Sequence, residues 1–170
     1  DLMLETEATP EFLLELKPDV VVCSTGSEAR SPAEVEGAES SNVVQGWDVL
    51  AGKATVGDKV ALYSEDDYFE TPNIAEALAV KGKQVTIFHK WAQIGKEIDR
   101  YSFGTVMKRL EENNVEIVGG VRLSKVDGDK VHFISAYSGA ERVFEGFDSV
   151  VLVCGSTPNA DLYYKLKDNY

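Results

Sequence analysis

The chain has 170 residues, and 44% of them are hydrophobic, which is enough for a buried core and excludes a disordered tail. Lys and Arg total 17 while Asp and Glu total 29, so the formal net charge is −12. Such an acidic chain is a poor partner for nucleic acid or for an anionic membrane. No apolar run approaches the roughly 20 residues that span a bilayer, and we predict no signal peptide.

The two cysteines, Cys23 and Cys154, each lie in a run of valines and form no C-x-x-C pair. Ligation of zinc or of an iron–sulfur cluster by four cysteines is therefore excluded within this chain. We predict two buried free thiols rather than a disulfide, as in a protein of the reducing cytoplasm. His89 and His132 are far apart, and we predict no metal site. The first residue is Asp, so we expect the chain to be part of a longer polypeptide.

The N-terminal part of the chain predicts one helix and one strand. Thr9 supplies a helix cap, Pro10 fits the first helical turn, and Pro18 stops the helix. The apolar run DVVVCSTG then predicts a parallel strand that is buried on both faces. Residues 27–41 lack hydrophobic periodicity, and we predict a linker there.

The segments DKVAL, TPNIAEALAVKG and QVTIF predict a strand, a helix and a second strand, the β-α-β unit that normally holds a dinucleotide. We expect the Thr71 hydroxyl to cap the helix and Gly82 to end it. The first turn of this helix is expected to face the ligand crevice of a doubly wound sheet.

The turn before this helix lacks the glycines of a dinucleotide site. A pyrophosphate site needs G-x-G-x-x-G for a tight turn and for close approach of the backbone. This chain instead has Glu65, Asp66 and Asp67, whose negative charges repel phosphate. The next two residues, Tyr68 and Phe69, are expected to fill the crevice. The sequence therefore predicts a nucleotide-binding scaffold whose phosphate-binding turn has lost that role.

The end of the second strand is also unusual. An NAD site has an acid there for the ribose hydroxyls, whereas His89 and Lys90 follow this strand. Basic residues at this point either favour a 2′-phosphate or simply end a solvated strand. The candidate NAD(P) ligands, if a dinucleotide binds, are Thr71, Asn73, His89 and Lys90.

The C-terminal half predicts a helix followed by antiparallel strands. Residues 98–113 form the helix, because Phe103, Met107 and Leu110 make one apolar stripe that belongs in a core. Alternating residues on both sides of Asp127-Gly128 predict a hairpin. The fold class is therefore α/β and Rossmann-like, with a mostly parallel sheet, flanking helices and an antiparallel β segment.

An internal similarity links the two ends of the chain. PDVVVCSTGS and DSVVLVCGSTPN share an acid, a valine run, a cysteine and an exit through small residues. Small residues let a backbone pass close under the phosphate or adenine of a nucleotide. The candidate residues for such an FAD or ADP site are Ser24, Thr25, Gly26 and Gly155.

These stretches resemble a known family. PDVVVCSTGSEARSP resembles the A-T-G strand of flavoproteins with two dinucleotide-binding domains, and DSVVLVCGSTPNADLYYKL resembles their closing V-x-G-x-x-P-N strand. NVVQGWDVLAGKATVGDKVAL and AEALAVKGKQVTIF are similar to the C-terminal region of NADH:flavin oxidoreductases. The relevant group comprises trimethylamine dehydrogenase, histamine dehydrogenase and 2,4-dienoyl-CoA reductase. The resemblance covers nearly the whole chain and implies a pyridine nucleotide-disulfide oxidoreductase-like fold.

The resemblance implies a division of the chain and a set of cofactors. Residues 1–41 and 146–170 are expected to be an incomplete FAD- or ADP-binding-type domain, with residues 42–145 inserted as an NAD(P)-binding-like domain. A barrel with FMN and a 4Fe-4S cluster, and the glycine-rich turn for FAD or ADP, are expected N-terminal to this chain. The implied partners are that barrel and an electron-transfer flavoprotein, and no residue of this chain is expected to be catalytic.

The acidic turn selects one branch of that family. The amine dehydrogenases resemble this chain in having a D-x-Y-F/Y-like turn without glycines, and they pass electrons to a flavoprotein. The preferred function is therefore that of a trimethylamine dehydrogenase-like oxidoreductase, of which this chain alone is inactive. Two alternatives stay open: the NAD(P)H-binding domain of a 2,4-dienoyl-CoA reductase-like enzyme, and a non-catalytic interaction or scaffold domain.

Overall fold

The computed structural model describes residues 1–32 and 34–169. The chain divides into two compact units, one made of Asp1–Glu28 with Ser156–Tyr170 and the other of Ala29–Gly155. In chain order, the elements are α1 (Pro10–Glu15), β1 (Ser27–Ala29), β2 (Val43–Gln45), α2 (Gly46–Leu50), β3 (Lys59–Ser64), α3 (Glu70–Ala79), β4 (Gln84–His89), α4 (Arg100–Glu112), β5 (Glu116–Gly119), β6 (Val121–Asp127), β7 (Lys130–Ser135), β8 (Glu141–Phe144), β9 (Ser149–Val153), β10 (Ser156–Pro158) and α5 (Asp161–Leu166).

In the first unit, α1 begins as the sequence predicts. The Thr9 hydroxyl accepts the amide N–H of Phe12 at 3.2 Å, and proline occupies the first helical turn. The strand predicted from DVVVCSTG is wrong, because residues 20–26 lie outside any strand. Val20 and Val22 are largely exposed. A strand needs a neighbour for its backbone groups, and these residues pair with no strand in the described part of the chain.

The second unit is built around a five-stranded sheet in the order β2-β9-β3-β4-β5. All four pairings are parallel, with Leu62 of β3 aligned with Val151 of β9 and Ile87 of β4. Strand β9 is buried along its whole length and β3 along all but its first residue, as expected for parallel strands covered on both faces. The α/β, mostly parallel fold class is confirmed.

One face of this sheet carries the helices. Helices α2, α3 and α4 contribute Val49, Ile74 and Leu110 to a cluster with residues of β3, β4 and β9. The predicted stripe is confirmed, since Leu110 is buried and Phe103 and Met107 pack against the same cluster. Helix α2 was missed, because its sequence GWDVL is too short to show a helical period.

The other face of the sheet is covered by a three-stranded antiparallel sheet in the order β6-β7-β8. The predicted hairpin is confirmed, with Asp127 paired to Lys130 across the turn. Aromatic rings fill the space between the sheets, and Phe88 of β4 stacks on Phe133 of β7 with centroids 4.4 Å apart. The antiparallel sheet thus replaces a second helical layer.

The observed units can be compared with the predicted domains. The prediction grouped residues 146–170 with residues 1–41, whereas Ser149–Val153 lies between β2 and β3 in the sheet of the second unit. The predicted linker of residues 27–41 is mostly irregular but contains β1, which pairs with β10. The assignment of the outer segments to an FAD- or ADP-binding-type domain stays a prediction.

Candidate functional site

A crevice of about 850 Å³ opens at the carboxyl ends of β3, β4 and β9. Ligands of open α/β sheets bind at this edge, where the connections from neighbouring strands diverge. The walls include Arg30, Glu65, Asp67, Trp91 and Lys96. The acidic turn therefore lines the crevice in which a dinucleotide would lie.

Asp66 occupies the N-terminal end of α3. Its Oδ2 atom accepts the amide N–H of Tyr68 at 3.2 Å and that of Thr71 at 3.4 Å. Its own amide donates to the Ser64 hydroxyl at 3.1 Å. Free N–H groups at a helix start are the usual ligands of a phosphate. Here the Asp66 carboxylate already occupies one of them, the N–H of Thr71.

Thr71 does not cap α3, so this prediction is wrong. The helix begins at Glu70, and the Thr71 side chain is fully buried. Its hydroxyl shares a 2.5 Å hydrogen bond with the Ser64 hydroxyl at the end of β3. The threonine thus fastens the helix to the strand, because a buried hydroxyl needs a partner.

Glu65 is surrounded by three donors. The Tyr63 phenol donates to Oε1 at 3.0 Å, and Lys90 Nζ lies 3.2 Å from Oε2. Arg30 Nη2 lies 3.6 Å from the same Oε2 atom. Burial, together with the nearby Glu65 charge, raises the pKa of Tyr63, so the phenol stays protonated and donates.

Asp67 pairs with the buried end of β4. Its Oδ1 atom lies 3.1 Å from Nε2 of His89, whose side chain is fully buried. The Asp67 carbonyl also accepts the amide N–H of Glu97 at 3.0 Å, which ties the turn to the loop after β4. His89 Nδ1 has no hydrogen-bond partner among the described residues.

Arg30 is a site residue that the sequence did not reveal. Its Nε and Nη2 atoms donate to the Cys154 carbonyl at 2.9 and 2.6 Å, and its amide donates to the Gly155 carbonyl at 3.0 Å. Arg30 belongs to the segment predicted as a linker, which has no periodic pattern, so only the fold brings it to the crevice. Burial and the Glu65 charge raise the pKa of the Cys154 thiol to about 12, so this cysteine stays protonated.

Three of the four candidate NAD(P) residues, Thr71, His89 and Lys90, lie around the acidic turn, and Asn73 does not. Thr71 and His89 are buried, and Lys90 is paired with Glu65. Asn73 is exposed on α3 and does not line the crevice. Three of the four therefore already have partners within the chain, and their role in NAD(P) binding stays a prediction.

The candidate FAD or ADP residues fall in different units. Ser24, Thr25 and Gly26 belong to the first unit, and Gly155 belongs to the second. The Thr25 hydroxyl donates to the Asn159 carbonyl, and the Asn159 amide donates to the Gly26 carbonyl at 2.9 Å. Gly26 and Gly155 have φ angles of +74° and +79°, which favour glycine. Their role in nucleotide binding stays a prediction.

Tyr68 and Phe69, which were expected to fill the crevice, behave differently from each other. Phe69 packs against the helical core, whereas Tyr68 is 55% exposed and lines the crevice. Among residues 1–32 and 34–169, no group of three or more His, Cys, Asp or Glu side chains forms a metal site. In the same described ranges, no helix is long and apolar enough to cross a membrane.

Comparisons with known proteins identify relatives of this chain. The N,N-dimethylglycine/sarcosine dehydrogenase of Chromohalobacter salexigens is 33% identical over 99% of this chain and 25% of its own length. The NADH oxidase of Thermoanaerobacter brockii is 30% identical over 70% of this chain and 18% of its own length. A solved structure, the 6-hydroxypseudooxynicotine amine oxidase from Pseudomonas geniculata N1, has the same fold, with a TM-score of 0.87 at 23% identity. It matches 99% of this chain and 26% of that protein.

The chain spans a quarter or less of the length of these two curated relatives. The family profile described as OYE-like second alpha/beta domain matches residues 44–157, which is more than half of the chain. This region contains the central sheet from β3 to β9, the acidic turn and the loop after β4. The chain therefore belongs to the family of OYE-like second alpha/beta domains.

Proposed function

We propose that this chain is the second α/β domain of a flavin-dependent oxidoreductase of the trimethylamine dehydrogenase type, and that its crevice no longer binds NAD(P)H. The observation that carries the proposal is the position of Asp66. Its carboxylate accepts the Thr71 N–H in the first turn of α3 and the Tyr68 N–H just before the helix. N–H groups at a helix start are those that a pyrophosphate would use. A dinucleotide would have to displace this carboxylate and then remain beside it.

The charges around the crevice support the same conclusion. Glu65, Asp66, Asp67 and Glu97 line the crevice, against the cations of Arg30 and Lys96. Near a protein surface, two like unit charges 4 Å apart repel by about 4 kcal/mol. A pyrophosphate at the start of α3 would meet such repulsion from Asp66 and from its neighbours. Loss of NAD(P)H binding follows from this repulsion between the carboxylates and the pyrophosphate.

The relatives support a small amine as the substrate of the whole protein. The relative that is 33% identical is named for N,N-dimethylglycine and sarcosine, both of which are N-methylated amino acids. We propose oxidation of an amine of this class. The chemistry would take place in the part of the polypeptide outside this chain, on FMN beside a 4Fe-4S cluster, and a flavoprotein would accept the electrons. We place the protein in the cytoplasm on the strength of its two free cysteines.

In the first unit, an FAD or ADP molecule would be held by backbone close to Ser24, Thr25 and Gly26. In the second unit, the backbone at Gly155 is a candidate nucleotide contact of its own. Gly26 has no atom within 4 Å of the position a Cβ would take, so a nucleotide phosphate or adenine has room there. Within this chain the bound nucleotide would serve structure or electron transfer rather than bond making. No side chain of the site is proposed to be catalytic.

The alternative is a reductase domain that binds NAD(P)H without glycines. Two observations favour it. One relative at 30% identity is named NADH oxidase, and the cation of Lys90 follows β4, where a 2′-phosphate would lie. In this alternative, Glu65 would swing away and release Lys90 and Arg30. The second alternative is a non-catalytic interaction or scaffold domain. Binding of none of NAD(P)H, FAD and ADP would favour it.

Calorimetric titration of the full-length protein with NADH and NADPH tests the proposal. We expect no binding in the micromolar range for the wild type. Binding at about 1 μM, equivalent to about −8 kcal/mol, would contradict the proposal and favour the reductase. Replacing Glu65→Gly together with Asp67→Gly should create or strengthen NADPH binding. The control removes the same charge from exposed positions of α4, by Glu111→Ala with Glu112→Ala, and should leave binding unchanged.

A further inference from the structure

The surroundings of Glu65 differ from those of the other two carboxylates in the turn. Asp66 is held by backbone N–H groups and Asp67 by a buried histidine, whereas Glu65 lies against two cationic side chains. We propose that Arg30, Lys90 and Tyr63 form an anion site on the crevice wall, which Glu65 fills from within the chain. A phosphate-sized oxyanion binds there when that carboxylate is withdrawn.

The donors of this site converge on one carboxylate from three parts of the fold. Tyr63 lies on β3, Lys90 follows β4, and Arg30 lies near the start of the second unit. Their donor atoms lie 3.0, 3.2 and 3.6 Å from the Glu65 oxygens. Two cations and a hydroxyl around one point match the oxygens of a phosphate as well as they match a carboxylate.

The donors are positioned by contacts that do not involve Glu65. Arg30 donates through Nε and Nη2 to the Cys154 carbonyl at the end of β9. Lys90 donates its amide to the Ser64 carbonyl at 3.0 Å, and its Nζ lies 5.4 Å from the centre of the Trp91 ring. The Tyr63 ring is buried in the core. The site therefore keeps its shape when the Glu65 side chain is shortened.

An ion from solvent can reach this position. Arg30 and Glu65 both line the crevice, and the Arg30 side chain is 52% exposed, against 15% for Glu65. Removing the carboxylate leaves the Arg30 and Lys90 cations close together without the Glu65 counter-charge. An external oxyanion then restores both the charge balance and the hydrogen bonds.

This inference deepens the proposed function, on which it rests, because it names the group that keeps anions away from Arg30 and Lys90 on the crevice wall. In the native protein, Glu65 acts as an internal competitor, and an anionic ligand must displace it. An uncharged or cationic ligand has no such competitor at this position. At this position, the crevice thus discriminates by charge through the Glu65 side chain.

Calorimetric titration of inorganic phosphate into the full-length protein tests the site. The variants are Glu65→Ala, Glu65→Gln and the control Glu97→Ala, which removes another crevice carboxylate with no ion pair among the described residues. We expect Glu65→Ala to bind phosphate at least tenfold more tightly than the control, a difference of about 1.4 kcal/mol. Glu65→Gln should show a smaller gain, because the amide removes the charge but keeps the volume.

Second substitutions identify the ligands of the phosphate. Adding Arg30→Gln or Lys90→Gln to Glu65→Ala should abolish the gain, and raising the salt concentration should weaken it. Equal phosphate binding by Glu65→Ala and Glu97→Ala would overturn the inference. A gain that survives the loss of both cations would also overturn it. If Glu65→Ala does not fold, the absence of any gain in folded Glu65→Gln overturns it. Micromolar NAD(P)H binding by the wild type would contradict the proposed function alone.

Discussion

The Oδ2 atom of Asp66 lies 3.4 Å from the amide nitrogen of Thr71, inside the first turn of α3. The same oxygen accepts the amide of Tyr68 at 3.2 Å. The Thr71 amide is one of the N–H groups that the first turn leaves without a partner in the helix, so the Asp66 oxygen acts on it as a helix cap, although Asp66 stands several residues before the helix. The carboxylate that we propose to exclude phosphate therefore also stabilises the helix.

Replacing Asp66 should reveal this second role. We expect Asp66→Ala to lower the free energy of unfolding by about 1 kcal/mol, the usual effect of removing a capping oxygen. Asp66→Asn should be close to the wild type, because the amide oxygen still accepts. Urea denaturation followed by circular dichroism measures both variants. Equal stability of Asp66→Ala and the wild type would show that the two long hydrogen bonds contribute nothing.

The sequence predicted a turn whose carboxylates repel phosphate, but it did not predict the partners of those carboxylates. Three acids in place of glycines are visible in the residue string, and their charge has a direct consequence for phosphate. The groups that neutralise Glu65 are Lys90, at the end of another strand, and Arg30, in an apparent linker. Contacts between such distant residues depend on strand order, which local patterns do not encode.

The two valine runs show the same limit for the fold. SVVLV became the buried strand β9, whereas DVVVC stayed outside any strand. Their compositions are nearly identical, so the difference comes from neighbours: β9 lies between β2 and β3. Local sequence patterns were sufficient to predict the apolar stripe of α4 and the hairpin turn at Asp127-Gly128, because neither depends on distant residues.

Two glycines should respond oppositely to alanine. A Cβ on Gly119 would lie 2.4 Å from the Ala92 carbonyl oxygen, whereas one on Gly104 would meet nothing within 4 Å. We expect Gly119→Ala to lower the free energy of unfolding by about 1–3 kcal/mol, because the new Cβ would force β5 away from the loop after β4. Gly104 is an exposed position inside α4, so Gly104→Ala should raise the free energy of unfolding by about 0.8–1 kcal/mol. Denaturant unfolding of the pair measures both, and a stabilising Gly119→Ala would refute the close contact.

The stacked rings of Phe88 and Phe133 should contribute much of the packing energy between the parallel sheet and the antiparallel sheet. Phe133 is fully buried, so Phe133→Ala should lower the free energy of unfolding by about 3–5 kcal/mol. Val143→Ala, on exposed β8 of the same sheet, should change it by less than about 0.5 kcal/mol. Thermal and urea unfolding measure both variants. Similar losses of stability in Phe133→Ala and Val143→Ala would mean that the aromatic rings are not the main contact between the sheets.

The two thiols should differ in reactivity. The pKa of Cys154 is raised to about 12 by burial and by the Glu65 charge, so its thiolate is scarce at pH 8. Cys23 is half-buried and free. Brief alkylation of the native protein, followed by peptide mapping, should label Cys23 and spare Cys154, and denaturation should expose both. Rapid native labelling of Cys154 would show that the end of β9 opens readily.

Glu70 should make stability depend on pH. Its pKa is raised by burial, with the Asp66 charge adding and a hydrogen bond from Trp47 opposing. Because the folded state binds this proton more tightly than the unfolded state, stability falls as pH rises from the ordinary glutamate pKa through the raised value. Glu70→Gln has no such proton.

The variant should therefore gain stability relative to the wild type as the pH rises through that window, and the difference should level off above it. Below the ordinary glutamate pKa, both side chains are neutral, so the pH-dependent part of the difference should vanish. Urea unfolding of both proteins across this range measures the curve. Glu76→Gln on α3 is the control for an ion-paired acid, because its carboxylate pairs with Arg109 at 3.2 Å. A difference between Glu70→Gln and the wild type that falls with rising pH would contradict the assigned direction.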